Sequence, residues 1–217
     1  YYSPCPSWCH YTQVDQTEEY GVAALSADDG HVLWKTTIVP AATMTDPPPA
    51  TPTIRAMVTS DDLAVVVVEP GDIEYAPDTQ AYVDALRVVA IDPLTGSTAW
   101  EATGVWPGAI VGDTVLAHAG GDPRRTGLGQ DDQREGPALV ALEASTGTTR
   151  WDLSERFPYS DLVLTAGDIA LVAVPADDAD ESIGAVAVQG VETLAIDLEA
   201  GREETSLGTG MGTCRSD

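Results

Sequence analysis

Residues Ala90-Ile-Asp-Pro-Leu-Thr-Gly-Ser-Thr-Ala-Trp100 decide the fold of this chain, because the same eleven-residue pattern returns three more times without gaps. The other copies are Ala24-Leu-Ser-Ala-Asp-Asp-Gly-His-Val-Leu-Trp34, Ala141-Leu-Glu-Ala-Ser-Thr-Gly-Thr-Thr-Arg-Trp151 and Ala195-Ile-Asp-Leu-Glu-Ala-Gly-Arg-Glu-Glu-Thr205. Their glycines, Gly30, Gly96, Gly147 and Gly201, stand 66, 51 and 54 residues apart. A repeat of this period is the signature of a propeller or solenoid array. Each copy reads as a β-hairpin. An apolar or alternating strand enters (Val22 to Leu25, Leu86 to Ile91, Leu139 to Leu142, Val191 to Ile196), and a polar turn follows with Gly where a positive φ is required. Asp92, Glu143, Asp197 or Ser26 before the turn can accept backbone N–H bonds and hold the corner.

Upstream of each later hairpin lies a second strand pair: Thr53 to Thr59 with Leu63 to Glu69, Ala109 to Val111 with Thr114 to His118, and Asp161 to Thr165 with Ile169 to Val174. Four antiparallel strands per unit are the anatomy of a propeller blade. The repeat hairpins fall at 20–40, 86–104, 138–153 and 191–207, after a Cys-containing N-terminal segment, 1–19. About three complete blades and part of another are expected, within a single β-propeller domain or a portion of one. An open propeller leaves unpaired edges, so the sequence favours a piece of a larger propeller over an unusually small four-bladed ring.

The eleven-residue pattern resembles the tryptophan-docking motif of the pyrroloquinoline-quinone-like (quinoprotein-type) β-propeller repeat. Ala90, Asp92, Gly96 and Trp100 match it fully, whereas the first copy has Ser26, the third Glu143, and the fourth Thr205 in place of Trp. The resemblance implies that Trp34, Trp100 and Trp151 pack against a neighbouring blade, with Gly30, Gly96, Gly147, Gly201, Asp92 and Asp197 as structural docking positions. Catalytic members of that family carry adjacent cysteines and a calcium-bound quinone. This chain has no Cys-Cys pair and no cluster of basic residues suited to clamp such a cofactor, so a non-catalytic member is expected, with no cofactor.

Composition narrows the partners. Ten Lys and Arg against 35 Asp and Glu leave a net charge of −25 over 217 residues. So negative a surface repels nucleic acid and anionic membrane. The longest strictly aliphatic run, Leu63 to Val68, is far too short to span a bilayer. With no initiator Met, signal peptide or lipobox at Tyr1, the sequence reads as a mature or trimmed product, tethered to a membrane, if at all, through a missing N-terminal part.

The three cysteines are Cys5, Cys9 and Cys214. A Cys5–Cys9 bridge would close a small loop and leave Cys214 free or paired outside the chain, in an oxidising, extracytoplasmic setting (secreted, cell-surface or periplasmic). Cys5-Pro-Ser-Trp-Cys9-His10 has one residue more than a haem-attachment motif, and as a zinc site it lacks a fourth ligand. The acidic loop Asp177, Asp178, Asp180, Glu181 is a weak calcium candidate, without the Gly and distal Glu of an EF-hand loop. Gly127-Leu-Gly129 is not a dinucleotide fingerprint, and His10, His31 and His118 form no triad with a nucleophile elbow. No catalytic residue is assigned.

Three insertions interrupt the repeat. Ala41 to Thr53, with Pro47-Pro48-Pro49 and Pro52, reads as a stiff connector. Pro70 to Asp84 reads as an extension of the middle hairpin of the second blade, carrying Asp72, Glu74 and Tyr75. Gly120 to Pro137 sets Arg124, Arg125 and Arg134 among acidic neighbours. The last two, together with the acidic loop at 177–181, lie between the second and third strands of their blades and so share one face. Loops on one face of a repeat array build its binding surface. The expected function is therefore an extracytoplasmic scaffold, sensor or lipoprotein domain that binds a protein partner. The alternatives are a quinone- or metal-dependent oxidoreductase, and a small-ligand or glycan-binding module stacking its ligand on Trp8, Trp106, Tyr75, Tyr82 or Tyr159.

Overall fold

The computed structural model describes residues 20–39, 52–69, 80–120, 138–158, 160–175 and 191–210. The first hairpin, β1 (Tyr20–Leu25) and β2 (Val32–Val39), is a two-stranded antiparallel sheet. Three four-stranded antiparallel sheets follow, each in simple sequence order. The second sheet comprises β3 (Thr53–Thr59), β4 (Ala64–Glu69), β5 (Arg87–Ile91) and β6 (Thr98–Thr103). The third comprises β7 (Val105–Val111), β8 (Thr114–Ala119), β9 (Ala138–Glu143) and β10 (Thr149–Asp152). The fourth comprises β11 (Asp161–Ala166), β12 (Ile169–Pro175), β13 (Val191–Asp197) and β14 (Glu203–Gly210). The described residues thus form a β-propeller array of three four-stranded blades and a two-stranded one, and among them the sheets do not close into a ring.

The inner strands explain the stacking. Every residue of β4 is buried, and so are four of the five in β5, which happens only when a sheet is covered on both faces. The period-2 alternation then sends successive side chains to opposite neighbours. Ala64, Val66, Val68, Val89 and Ile91 pack with Ile38 and the partly buried Trp34 of the first sheet. Their alternates Val65, Val88 and Ala90 pack with Val115, Ala117, Val140 and Leu142 of the third. Leu116, Leu139 and Ala141 in turn face Ala170, Val172, Leu194 and Ile196 of the fourth. The core is thus three successive apolar layers, each shared by two blades.

Two departures from the sequence expectation concern the second and third blades. The end of the Pro70–Asp84 stretch is not an extended hairpin arm: Gln80–Ala85 form a short helix, α1. That turn buries Val83 beside Val67 and Leu86; an extended arm there would have left Val83 in water. Strand β7 starts at Val105 rather than Ala109, which draws Trp106 into the sheet. Trp106 packs half-buried against Val67, Val83 and Leu86, so it is an inter-blade core residue and not a free stacking platform. Pro107 is tolerated because β7 is an edge strand with a register shift between Pro107 and Ala109.

Candidate functional site

The residues that the repeat singles out converge on the seams between blades. In each turn the chain closes a five-residue corner in which the glycine N–H donates to the carbonyl at the start of the turn: Gly30 to Ser26, Gly96 to Asp92, Gly147 to Glu143 and Gly201 to Asp197, at 2.8–2.9 Å. All four glycines have φ between 61° and 74°, a region that side chains with a Cβ rarely enter. The Asp92 carboxylate accepts the backbone N–H of Leu94 at 2.8 Å and the Thr95 hydroxyl at 2.8 Å. These bonds, the Thr95 hydroxyl foremost, hold its carboxyl below the usual carboxylate range. Asp197 accepts the Ala200 N–H at 2.6 Å in the same way.

Each tryptophan reaches the turn of the next blade. The Trp34 indole N–H donates to the Pro93 carbonyl at 2.8 Å, Trp100 to Ala144 at 2.7 Å, and Trp151 to Leu198 at 2.8 Å. In every case the acceptor lies three residues before the turn glycine, and the ring lies over that glycine. A Cβ placed on Gly96 or Gly147 would come 2.6 Å from the Trp34 or Trp100 ring, and one on Gly201 would clash with Trp151. The docking therefore needs glycine twice, for its backbone conformation and for the space above it. Thr205, at the fourth tryptophan position, is exposed on β14.

Charged struts tie strands within blades and, at Arg87 and Arg156, cross the seams. Arg87 makes a bidentate pair with Glu101 at 2.8 and 3.0 Å and also donates to the Ile38 carbonyl of the first sheet at 3.0 Å. This partner, chiefly by hydrogen bonding, holds the Glu101 carboxyl below its ordinary value. Arg150, beside the docking Trp151, binds Asp113 at 2.6 Å, Glu143 at 2.5 Å and the Thr114 hydroxyl at 2.8 Å, tying β10 to β9 and to the β7–β8 turn. Asp113 is thereby held below the usual carboxylate range, the guanidinium hydrogen bond being the main cause. Arg156 pairs with Glu203 at 2.5 Å across the last seam, and Arg55 pairs with the buried Glu69 within the second blade. Sequence reading missed Arg150; a lone Arg beside a docking Trp and a Gly112-Asp113 turn was the available signal.

One buried polar group has no such employment. His118 on β8 occupies the place that Val67 holds one blade earlier. Its Nε2 lies 3.2 Å from the Asp161 carboxylate and 3.4 Å from the Leu162 N–H of the fourth sheet, while its Nδ1 is buried without a hydrogen-bond partner among the described residues. Nearby, the buried Ser160 hydroxyl oxygen accepts the Leu139 N–H at 2.7 Å. Among the described residues no three His, Cys, Asp or Glu side chains gather as they would around a metal ion. The calcium candidates Asp177, Asp178, Asp180 and Glu181 lie outside the described residues. So do Cys5, Cys9 and Cys214, and the loop residues Asp72, Glu74, Tyr75, Arg124, Arg125 and Arg134, together with Trp8 and Tyr159. The Tyr82 side chain is likewise undescribed. No described helix is long and apolar enough to cross a membrane.

An array of antiparallel blades joined by tryptophan-on-glycine contacts defines a β-propeller repeat protein. Comparison agrees: residues 11–105 match the family model described as outer membrane protein assembly factor BamB. Over that stretch the chain is similar to pyrroloquinoline-quinone-like β-propeller repeats. No curated protein matches it. Among solved structures, BamB from Moraxella catarrhalis is 14% identical, with 82% of this chain and 40% of that one covered and a TM-score of 0.43. Quinohemoprotein alcohol dehydrogenase ADHIIG from Pseudomonas putida HK5 is 14% identical over 88% of this chain and 32% of that one, with a TM-score of 0.40. A europium-containing methanol dehydrogenase is 15% identical over 73% and 26%, with a TM-score of 0.37. The chain spans 40% or less of the length of each.

Proposed function

We propose that this chain is a non-catalytic, extracytoplasmic propeller scaffold that binds a protein partner through the loops joining the second and third strands of its blades. The observation that carries this is the match of residues 11–105 to a family described as an outer-membrane protein assembly factor. The use of the described polar residues supports it. The carboxylates of Asp92 and Asp197 hold turns, and those of Glu101, Asp113, Glu143 and Glu203 serve struts between strands and blades. An oxidising compartment suits a Cys5–Cys9 bridge, and the strongly negative charge suits a protein rather than a nucleic-acid partner.

A photo-crosslinking residue placed at Tyr75 or Arg125 of the full-length protein in its own cells tests the assignment. A discrete protein adduct from these loops, and none from Asp61 on the β3–β4 turn, is the expected result. Dye reduction by the purified protein on addition of pyrroloquinoline quinone and Ca²⁺, with no adduct at either loop, would overturn it.

A further inference from the structure

The seam between the third and fourth blades differs from the one before it at three matched positions. Val67 pairs with Val88 in the second blade as His118 pairs with Leu139 in the third, so His118 takes the place of Val67. Trp106 and Pro107 pair with His118 and Ala117 in the third blade, as Asp161 and Leu162 pair with Ala173 and Val172 in the fourth. Asp161 and Leu162 therefore stand where Trp106 and Pro107 stand one blade earlier. In the earlier seam the contact is apolar: Trp106 packs against the buried Val67, and Pro107 brings no N–H. In the later seam an imidazole, a carboxylate and a backbone N–H converge on one atom. His118 Nε2 lies 3.2 Å from the Asp161 carboxylate and 3.4 Å from the Leu162 nitrogen, whose N–H points at it.

These two contacts exclude each other. Nε2 accepts the Leu162 N–H only when it is bare, and it donates to Asp161 only when it carries a proton. The imidazole side chain is 4% exposed and the carboxylate 51%, so water reaches the pair from the Asp161 side. The other described residues beside the ring bring no charge: Trp106 and Gly108 on β7, Leu139 on β9 and Leu162 on β11. Asp161 is thus the one charged group paired with His118 among the described residues.

We propose that the joint between the third and fourth blades is an acid-responsive switch, in which protonation of His118 moves Nε2 from accepting the Leu162 N–H to donating to the Asp161 carboxylate. With the ring neutral, Nδ1 holds the proton and the bond from Leu162 pins the start of β11 to β8. In acid a proton from solvent settles on Nε2, and both ring nitrogens become donors. The Leu162 N–H then loses its acceptor, the ring is held by the exposed carboxylate, and β11 loosens beside the register shift between Leu162 and Leu164. Each of the three replacements alone would set a polar group in an apolar layer to no use; together they form one titrating contact. The switch concerns the array's own joint and calls on no partner, so it stands apart from the scaffold assignment.

The test uses the full-length protein in solution. Ring 15N shifts of His118, assigned by their loss in H118Q, report the proton on Nε2. Hydrogen exchange at amide 162, corrected for the intrinsic effect of pH, reports the contact. The expected result is a bare Nε2 at about pH 8, where histidine is ordinarily neutral. As Nε2 gains its proton, protection of amide 162 should fall roughly five- to tenfold with the same midpoint, the equilibrium weight of about one hydrogen bond. Amides of β4 and β5 should not follow that midpoint. H118Q, which cannot titrate, and H118V, which installs the aliphatic residue of the second blade, should both lose the response. A proton on Nε2 at about pH 8, a ring that does not titrate between about pH 5 and 8, or a titration that leaves amide 162 unchanged would each overturn the proposal on wild type alone. A response that persists in either variant would overturn it as well.

Discussion

Gly147→Ala and Gly30→Ala form a matched pair that isolates the energy of one tryptophan seat. Both glycines sit in the same turn, with φ of 71° and 73°, so the backbone cost of an alanine in the left-handed region, about 1 kcal/mol, is common to both. They differ in what lies above them. At position 30 the new methyl meets no described atom within 4 Å, and at position 147 it would stand 2.6 Å from Cε3 of Trp100. Carbon atoms rest about 3.5–4.0 Å apart, so the indole must withdraw by about 1 Å. That takes its N–H, now 2.7 Å from the Ala144 carbonyl, out of hydrogen-bond range, at about 1 kcal/mol. Disturbing the packing of Trp100 in the layer it shares with Val115 and Leu142 adds about 1 kcal/mol or more. The expected losses are about 1 kcal/mol for G30A and about 3 kcal/mol for G147A. Urea denaturation followed by intrinsic tryptophan fluorescence measures both. Equal losses in the two variants would refute the docking account of Gly147 and leave only turn strain.

Other consequences follow from the same contacts. W151A should destabilise by about 3–5 kcal/mol and loosen the last blade selectively; hydrogen exchange should rise in β11 to β14 while β3 to β6 stay protected. S160A removes the acceptor of the Leu139 N–H inside the seam and should cost about 1–3 kcal/mol, with loss of exchange protection at amide 139 as the direct readout. Arg150→Met tests the strut through pH. The Asp113 carboxyl is held below its ordinary value by Arg150; its contribution is therefore present above the ordinary carboxylate range, near pH 4, and is lost as pH falls through the lowered value. The melting-temperature gap between wild type and R150M should be widest at pH 7 and should close below about pH 4. A gap that widens in acid would show that Asp113 is not the group Arg150 stabilises.

Much of the architecture is legible in the residues themselves, and the reason is local. A turn that needs a positive φ selects glycine, and an Asp, Glu or Ser stands four residues earlier, so Gly30, Gly96, Gly147 and Gly201 mark their corners without tertiary help. The all-apolar run Leu63 to Val68, entered through the Ser60-Asp61-Asp62 turn, announces a strand covered on both faces. The helix α1 was not legible: its six residues carry neither an acidic first turn nor a basic last turn, and its Val83 is held by Val67 and Leu86 of the same blade and by Trp106 of the next. Trp106, an aromatic outside the repeat pattern, reads from sequence as either a packing residue or a stacking platform, and the neighbouring blade decides for packing.

The sequence by itself determined the four turn units and the strand alternation, because these depend on interactions between residues a few positions apart. Tertiary structure alone decided which glycine each tryptophan meets, 47 to 62 residues further on, since that partner is chosen by the twist and stacking of whole sheets. The same stacking left His118 facing Asp161 with one ring nitrogen that has no hydrogen-bond partner among the described residues, while strand pairing within the third sheet gave Arg150 three acceptors on three different elements. A Cβ on Gly30 would meet no described atom within 4 Å, while those on Gly96, Gly147 and Gly201 would meet an indole; similar local chemistry forms the turn in every copy, and only the stacking of whole blades brings a tryptophan over it.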